Sequence, residues 1–124
     1  MFLLVGFRAQ LHMNTSYQIL EKIFKKPLLE KLKKKSIDSS DEVCGFISKG
    51  VFFEKQNIHP DKKNFFLISP EDCCWDDGVI LFHSHPKHVH EKGFSKWDID
   101  NQYYFDLDML LYSVNNDEFY FKKI

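Results

Sequence analysis

GVILFHSHP, residues 78–86, decides how the rest of the chain is read. A glycine opens the stretch, four apolar residues follow, and His83, Ser84 and His85 run into Pro86. An apolar run of that length between glycine and proline fits a strand covered on both faces, so it is expected at the centre of a sheet. In extended backbone His83 and His85 project to one side and Ser84 to the other. Pro86 stops the pairing and turns the chain outward. The two imidazoles are therefore expected at a strand end, where sites in α/β folds tend to open.

Upstream, from Ser16 to about Lys35, apolar residues fall at Ile19/Leu20, Ile23/Phe24, Leu28/Leu29 and Leu32, the spacing of one helical face. Pro27 either kinks that helix or begins a second one in its first turn, where a missing N–H costs nothing. SIDSSDE (36–42) reads as a loop, VCGFIS (43–48) as a buried strand, and VFFEKQ (51–56) as its hairpin partner across Lys49-Gly50. NFFLIS (64–69) is expected as another strand, and Ser69-Pro70-Glu71-Asp72 as the start of a short helix carrying Cys73, Cys74 and Trp75. Beyond the histidine loop, SKWDIDNQYYFDL (95–107) predicts a helix, and MLLYSV (109–114) and EFYFKK (118–123) a closing hairpin. Together these predict an α/β (α+β) fold, a mixed β-sheet flanked by helices. A single domain is expected over residues 1–124, with 1–15 as a peripheral segment.

The 124 residues are 44% apolar with thirteen phenylalanines, enough for one core. A net charge of -1 gives no global pull toward nucleic acid or an anionic membrane. KLKKKS (31–36) reads as the lysine-rich end of a helix, where cations complement the carbonyl end of the dipole. Three cysteines, two of them adjacent, offer neither a paired disulfide framework nor CxxC spacing, so reduced thiols and a cytoplasmic location are expected. MFLLVGFRAQLH lacks the basic region and cleavage site of a signal peptide and is too short to span a bilayer; Met13 is an alternative start.

H-x-H spacing at a strand end suits two ligands on one metal, and a catalytic zinc commonly takes three protein groups and leaves one position for water. Asp98 is the candidate third ligand. Ser95-x-x-Asp98 also fits a helix cap, in which the serine oxygen accepts from an early N–H and the acid answers it. H-x-H-P, a short loop and S-x-x-D in combination favour a Zn2+ site. Zinc on two neutral imidazoles and a carboxylate lowers the pKa of its water to about 7, creating a hydroxide nucleophile. The water needs a base that is not itself a ligand. Glu42, directly before VCGFIS, takes that role if its strand lies near the central one.

Glu42 followed by V-C-G-F, then HSHP, then Ser95-Lys96-Trp97-Asp98 resembles the signature of the JAMM, or MPN-plus, metallopeptidases, over roughly Asp38 to Val114. The resemblance implies a cytidine-deaminase-like fold, zinc on His83, His85 and Asp98, Glu42 as general base, and Ser95 steadying the oxyanion of a tetrahedral intermediate. Within the family, EVCGF, FFLISPED and GVILFHSHP look most like the Mov34-type domain at the front of phage tail assembly proteins of the lambda K type. Those commonly carry a second, NlpC/P60-type cysteine-peptidase domain, expected here to be absent or on another polypeptide. KHVHEKGF, between Pro86 and Ser95, is slightly longer than usual, and Gly-Phe replaces the common small or proline residues before the serine.

His88 and His90 repeat the H-x-H spacing but lie off the strand and read as loop histidines near the cleft. His59 reads as a turn residue, and Cys44 as packing beneath the site. The expected activity is hydrolysis of a peptide or isopeptide bond in phage tail assembly or maturation. A protein or peptide is the expected substrate, and phage tail proteins or a separate NlpC/P60-type peptidase are the expected partners, in the host cytoplasm or a virion tail. One rival is removal of a ubiquitin-like modifier, for which the segments between Gly45 and His83 and after Asp98 leave little room. The other is a structural assembly module, against which the intact set of five residues argues.

Overall fold

The structure, a computed structural model, describes residues 20–74 and 76–124. The expected peripheral segment 1–15, the first residues of the first helix (16–19) and Trp75 lie outside them. Residues 20–23 are helical, the chain opens at Phe24 and Lys25, and helix α1 (Lys26–Ile37) begins with Pro27 in its first turn. Of its two possible roles, Pro27 takes the second and starts a new helix. α1 runs past the expected end at Lys35 to Ile37, and there Ser36 Oγ donates to the Leu32 carbonyl. Lys34 and Lys35 occupy its last turn, as the lysine run predicts.

β1 (Cys44–Ser48) and β2 (Val51–Lys55) form the expected hairpin. Lys49 and Gly50, both at positive φ, make the kind of turn that two-residue hairpins favour. Gly45 is required by the closeness of the strands: a Cβ there would collide with the Phe53 carbonyl and the Phe52 ring. β3 (Ile80–His85), β4 (Asp108–Ser113) and β5 (Glu118–Lys122) complete a sheet of order β2-β1-β3-β4-β5, with β3 central. β3 and β4 are parallel and the other pairs antiparallel. Parallel neighbours need a crossover, and helix α2 (Lys96–Phe105) supplies it. The molecule is thus a small mixed α+β domain with a five-stranded mixed sheet.

Alternation along the strands splits the core in two. On one face Val43, Ile47, Phe82 and Leu110 pack with Leu28, Leu29 and Leu32. On the other, Cys44, Phe46, Leu81 and Met109 pack with Phe66, Ile68 and Phe105. By that alternation His83 and His85 fall on the second face and Ser84 on the first.

Two expected elements differ. NFFLIS is not a strand, although Phe66 and Ile68 point inward as a strand would have them. The Asn57 carboxamide takes the groups a ladder would use, accepting from Leu67 N–H and donating to the Phe65 carbonyl. Ser69-Pro70-Glu71-Asp72 yields only one 3-10 turn, Pro70–Asp72. Ser69 Oγ donates to Glu71 Oε1 and caps no backbone N–H. Cys73 and Cys74 therefore lie past that turn instead of on a helix, and all three cysteines are free. Among the described residues no helix is long and apolar enough to cross a membrane.

Candidate metal centre

The crossover returns the start of α2 to the end of β3. Ser95 is the N-cap: its Oγ accepts from Asp98 N–H at 3.1 Å, and Asp98 Oδ2 accepts from Ser95 N–H at 2.8 Å. This is a reciprocal capping box. It does not use up the carboxylate. Asp98 Oδ2 also lies 3.0 Å from His85 Nε2, and Oδ1 lies 3.0 Å from His83 Nε2.

Glu42 arrives from the other side. β1 pairs with β3 so that Cys44 stands opposite His83. Beyond that pair Ser84 prolongs the attachment, its N–H donating to the Val43 carbonyl at 2.9 Å and its Oγ accepting from Val43 N–H at 2.8 Å. Alternation then carries Glu42 to the same face as Cys44 and His83. Glu42, His83, His85 and Asp98 each present one ligand atom, all within 4.8 Å of one another, and none of the four residues is more than 3% exposed.

The donor set fits a metal ion. Glu42 Oε1, His83 Nδ1 and His85 Nδ1 are buried without a hydrogen-bond partner, while the Nε2 atoms of both histidines face Asp98. A buried polar group left unpaired costs about 1–3 kcal/mol, and a cation held by the two Nε2 atoms and Asp98 would give Glu42 Oε1 a charge to face. A tetrahedral ion with bonds of roughly 2.0–2.2 Å keeps its ligands about 3.4 Å apart, near the 3.0 Å spacings between the imidazoles and Asp98. Neither Nδ1 meets the carbonyl or carboxylate that usually orients a metal-bound imidazole. The His83 ring is held instead by Phe66, stacked on it with centroids 4.7 Å apart.

Burial pushes the Glu42 carboxyl from 4.5 up to about 9, with Asp98 and Asp61 adding repulsion. Burial also works against charge on Asp98, but His83 and His85 outweigh it and hold that carboxyl well below the usual range. Burial lowers the pKa of His83 although Asp98 pulls the other way. A neutral imidazole beside an ionised carboxylate is the protonation state that metal ligation requires. Burial, with Glu42 and Glu54, pushes the Cys44 thiol up to about 12, so it packs rather than reacts.

The remaining candidates stand apart. His88 and His90 are exposed and outside the cluster, and His88 Nε2 meets Asn64 Oδ1 at 3.0 Å. His59 is the expected turn residue, its Nδ1 accepting from Asp61 N–H. Gly93, at φ 77°, and Phe94, packed against the second core, absorb the unusual loop before Ser95. Sequence reasoning passed over Asn57. Its Oδ1 accepts from His59 N–H, a local turn signal legible in NIHP, but its burial and its bond to the Glu42 carbonyl arise from distant contacts.

No family model matches the chain. No curated protein matches it either.

Proposed function

We propose that the chain is a zinc-dependent metallopeptidase of the JAMM, or MPN-plus, type, with a cytidine-deaminase-like fold, hydrolysing a peptide or isopeptide bond in phage tail assembly or maturation. The observation that carries this reading is the convergence of Glu42, His83, His85 and Asp98 within 4.8 Å, with Glu42 Oε1 buried and unpartnered. His83, His85 and Asp98 would hold the ion. Bound zinc supplies a Lewis acid and lowers the pKa of water to about 7.

The chain's own groups divide the remaining work. Glu42 is the carboxylate left over. Burial keeps it protonated in the metal-free chain, and beside a cation its ionised form would be favoured. Its Oε1 would then take the proton of the attacking water and deliver it to the leaving amine. Ser95 Oγ accepts from Asp98 N–H, so its own O–H is free to donate to the substrate carbonyl oxygen as charge develops there. The substrate is a protein or peptide, and a phage tail protein or a separate NlpC/P60-type peptidase in the host cytoplasm is the partner class this reading favours.

Elemental analysis of the purified protein should give about one zinc per chain, and H83A/H85A should abolish it. Glu42→Gln should keep the zinc and lose hydrolysis of a peptide library. A native protein that takes up no metal would overturn the reading. A Glu42→Gln variant as active as wild type would remove the proposed base.

A further inference from the structure

We infer that Asn57 is a positioning residue of the metal centre, its carboxamide locking the backbone of Glu42 to a loop, residues 57–67, that also braces His83 and the start of α2. The role rests on the function proposed for Glu42. Asn57 lies two residues beyond β2 and is buried. Its Nδ2 donates to the carbonyls of Glu42 at 3.1 Å, Phe65 at 3.0 Å and Lys62 at 3.5 Å, while its Oδ1 accepts from His59 N–H and Leu67 N–H, each at 3.1 Å. Only one orientation of the amide satisfies these partners.

The backbone of Glu42 is thereby tied to this loop through both of its groups. Its carbonyl accepts from Asn57, and its N–H donates to the Lys62 carbonyl at 2.8 Å. The next residue, Val43, is fastened to Ser84 on β3. Farther along the loop, Phe66 stacks on His83, and its carbonyl accepts from Trp97 Nε1–H at 3.0 Å, one residue before Asp98. The base, one imidazole and the helix bearing the carboxylate are thus all registered against one stretch of chain. That stretch has no ladder of its own: within it the backbone pairs at the turn at Asp61 and from Ile58 N–H to the Leu67 carbonyl, and side chains other than Asn57 add local contacts among His59, Asp61, Asn64 and Phe65. Asn57 is the buried side chain that joins the two ends of the stretch to Glu42.

Amide hydrogen exchange on the metal-free full chain tests this directly. In wild type, Glu42 and Leu67 should open in one cooperative unit, separate from Leu111 and Tyr112 in β4. Asn57→Ala should speed exchange at both by about tenfold, the size expected for one buried hydrogen bond. Asn57→Asp, which keeps the acceptor but loses the donors, should do so at Glu42 more than at Leu67. Zn2+ affinity, read by competition with a chromophoric chelator, should fall by about tenfold or more in Asn57→Ala at unchanged stoichiometry. Exchange at Glu42 that follows β1 and β3 independently of Leu67 would overturn the inference, and it can be read in wild type even if the variants do not fold. Unchanged Glu42 exchange or unchanged Zn2+ affinity in a folded variant would also overturn it. A wild type that binds no Zn2+ defeats the metallopeptidase reading and the metal centre with it, whereas the exchange measurements, which need no metal, overturn or support the lock of Asn57 on Glu42 by themselves.

Discussion

Helix α1 buries Leu28, Leu29 and Leu32 against one face of the sheet, whereas α2 buries Asp98, Asn101, Gln102 and Phe105 against the other. α1 is held by apolar area, which is non-directional and tolerates small shifts. α2 is held by hydrogen bonds with direction. Gln102 Nε2 donates to the carbonyls of Leu107 and Lys122, Trp97 Nε1–H reaches Phe66, and the Ser95–Asp98 box closes the first turn. Buried polar groups are tolerated only where partners meet them. The same requirement that makes α2 costly to place also sets Asp98 beside two imidazoles. One face of the sheet carries an apolar core, and the other combines its core with the cluster of Glu42, His83, His85 and Asp98.

Substitutions on each face should separate the two. Leu32→Ala should have the largest effect on stability, about 2–5 kcal/mol by urea denaturation, while the folded fraction keeps one zinc per chain. A loss of metal in that variant would erase the contrast between the faces. Glu42→Gln comes next and acts through pH. The unfolded chain releases the Glu42 proton near 4.5 and the folded chain near 9, so in the metal-free protein its stabilisation is complete below 4.5 and is lost as pH rises through that window. Relative to wild type, Glu42→Gln should remove a decline of the order of a few kcal/mol between about pH 5 and pH 8. His83 works in the opposite sense, losing stability as pH falls below 6.5, so the difference between the two proteins is the measure.

Gln102→Ala leaves the carbonyls of Leu107 and Lys122 without that donor and should cost about 1–3 kcal/mol. Unlike Leu32→Ala, it should also weaken Zn2+ binding, because it loosens the helix that carries Asp98. The smallest effect is expected for Ser95→Ala, about 1 kcal/mol in thermal unfolding for a lost cap, with zinc stoichiometry unchanged. A loss of zinc equal to that of H83A/H85A would make Ser95 part of the metal shell and not only a cap.

The strands and the first helix were legible because each repeats a short period. β3 lies where its bounded apolar run places it, and the β1–β2 and β4–β5 hairpins follow from Lys49-Gly50 and the polar stretch 115–117. Pro27 left two roles open, and packing of Phe24 against Phe121 accompanies the break that decided between them. NFFLIS misled because inward alternation of Phe66 and Ile68 describes burial, while a strand also needs backbone partners, which Asn57 supplied from its side chain. Asn57 itself looked like an ordinary turn residue.

At the site, local spacing singled out His83, His85 and Asp98 as candidate ligands and Ser95 as a helix cap, since strand alternation and helix capping are properties of neighbouring residues. Tertiary structure decided two things. It brought Glu42, forty-one positions before His83, to the imidazoles by pairing β1 with β3, and it buried the cluster with Glu42 Oε1 unpaired. Neither follows from composition or period, because strand neighbours and desolvation are set by how distant segments close on one another.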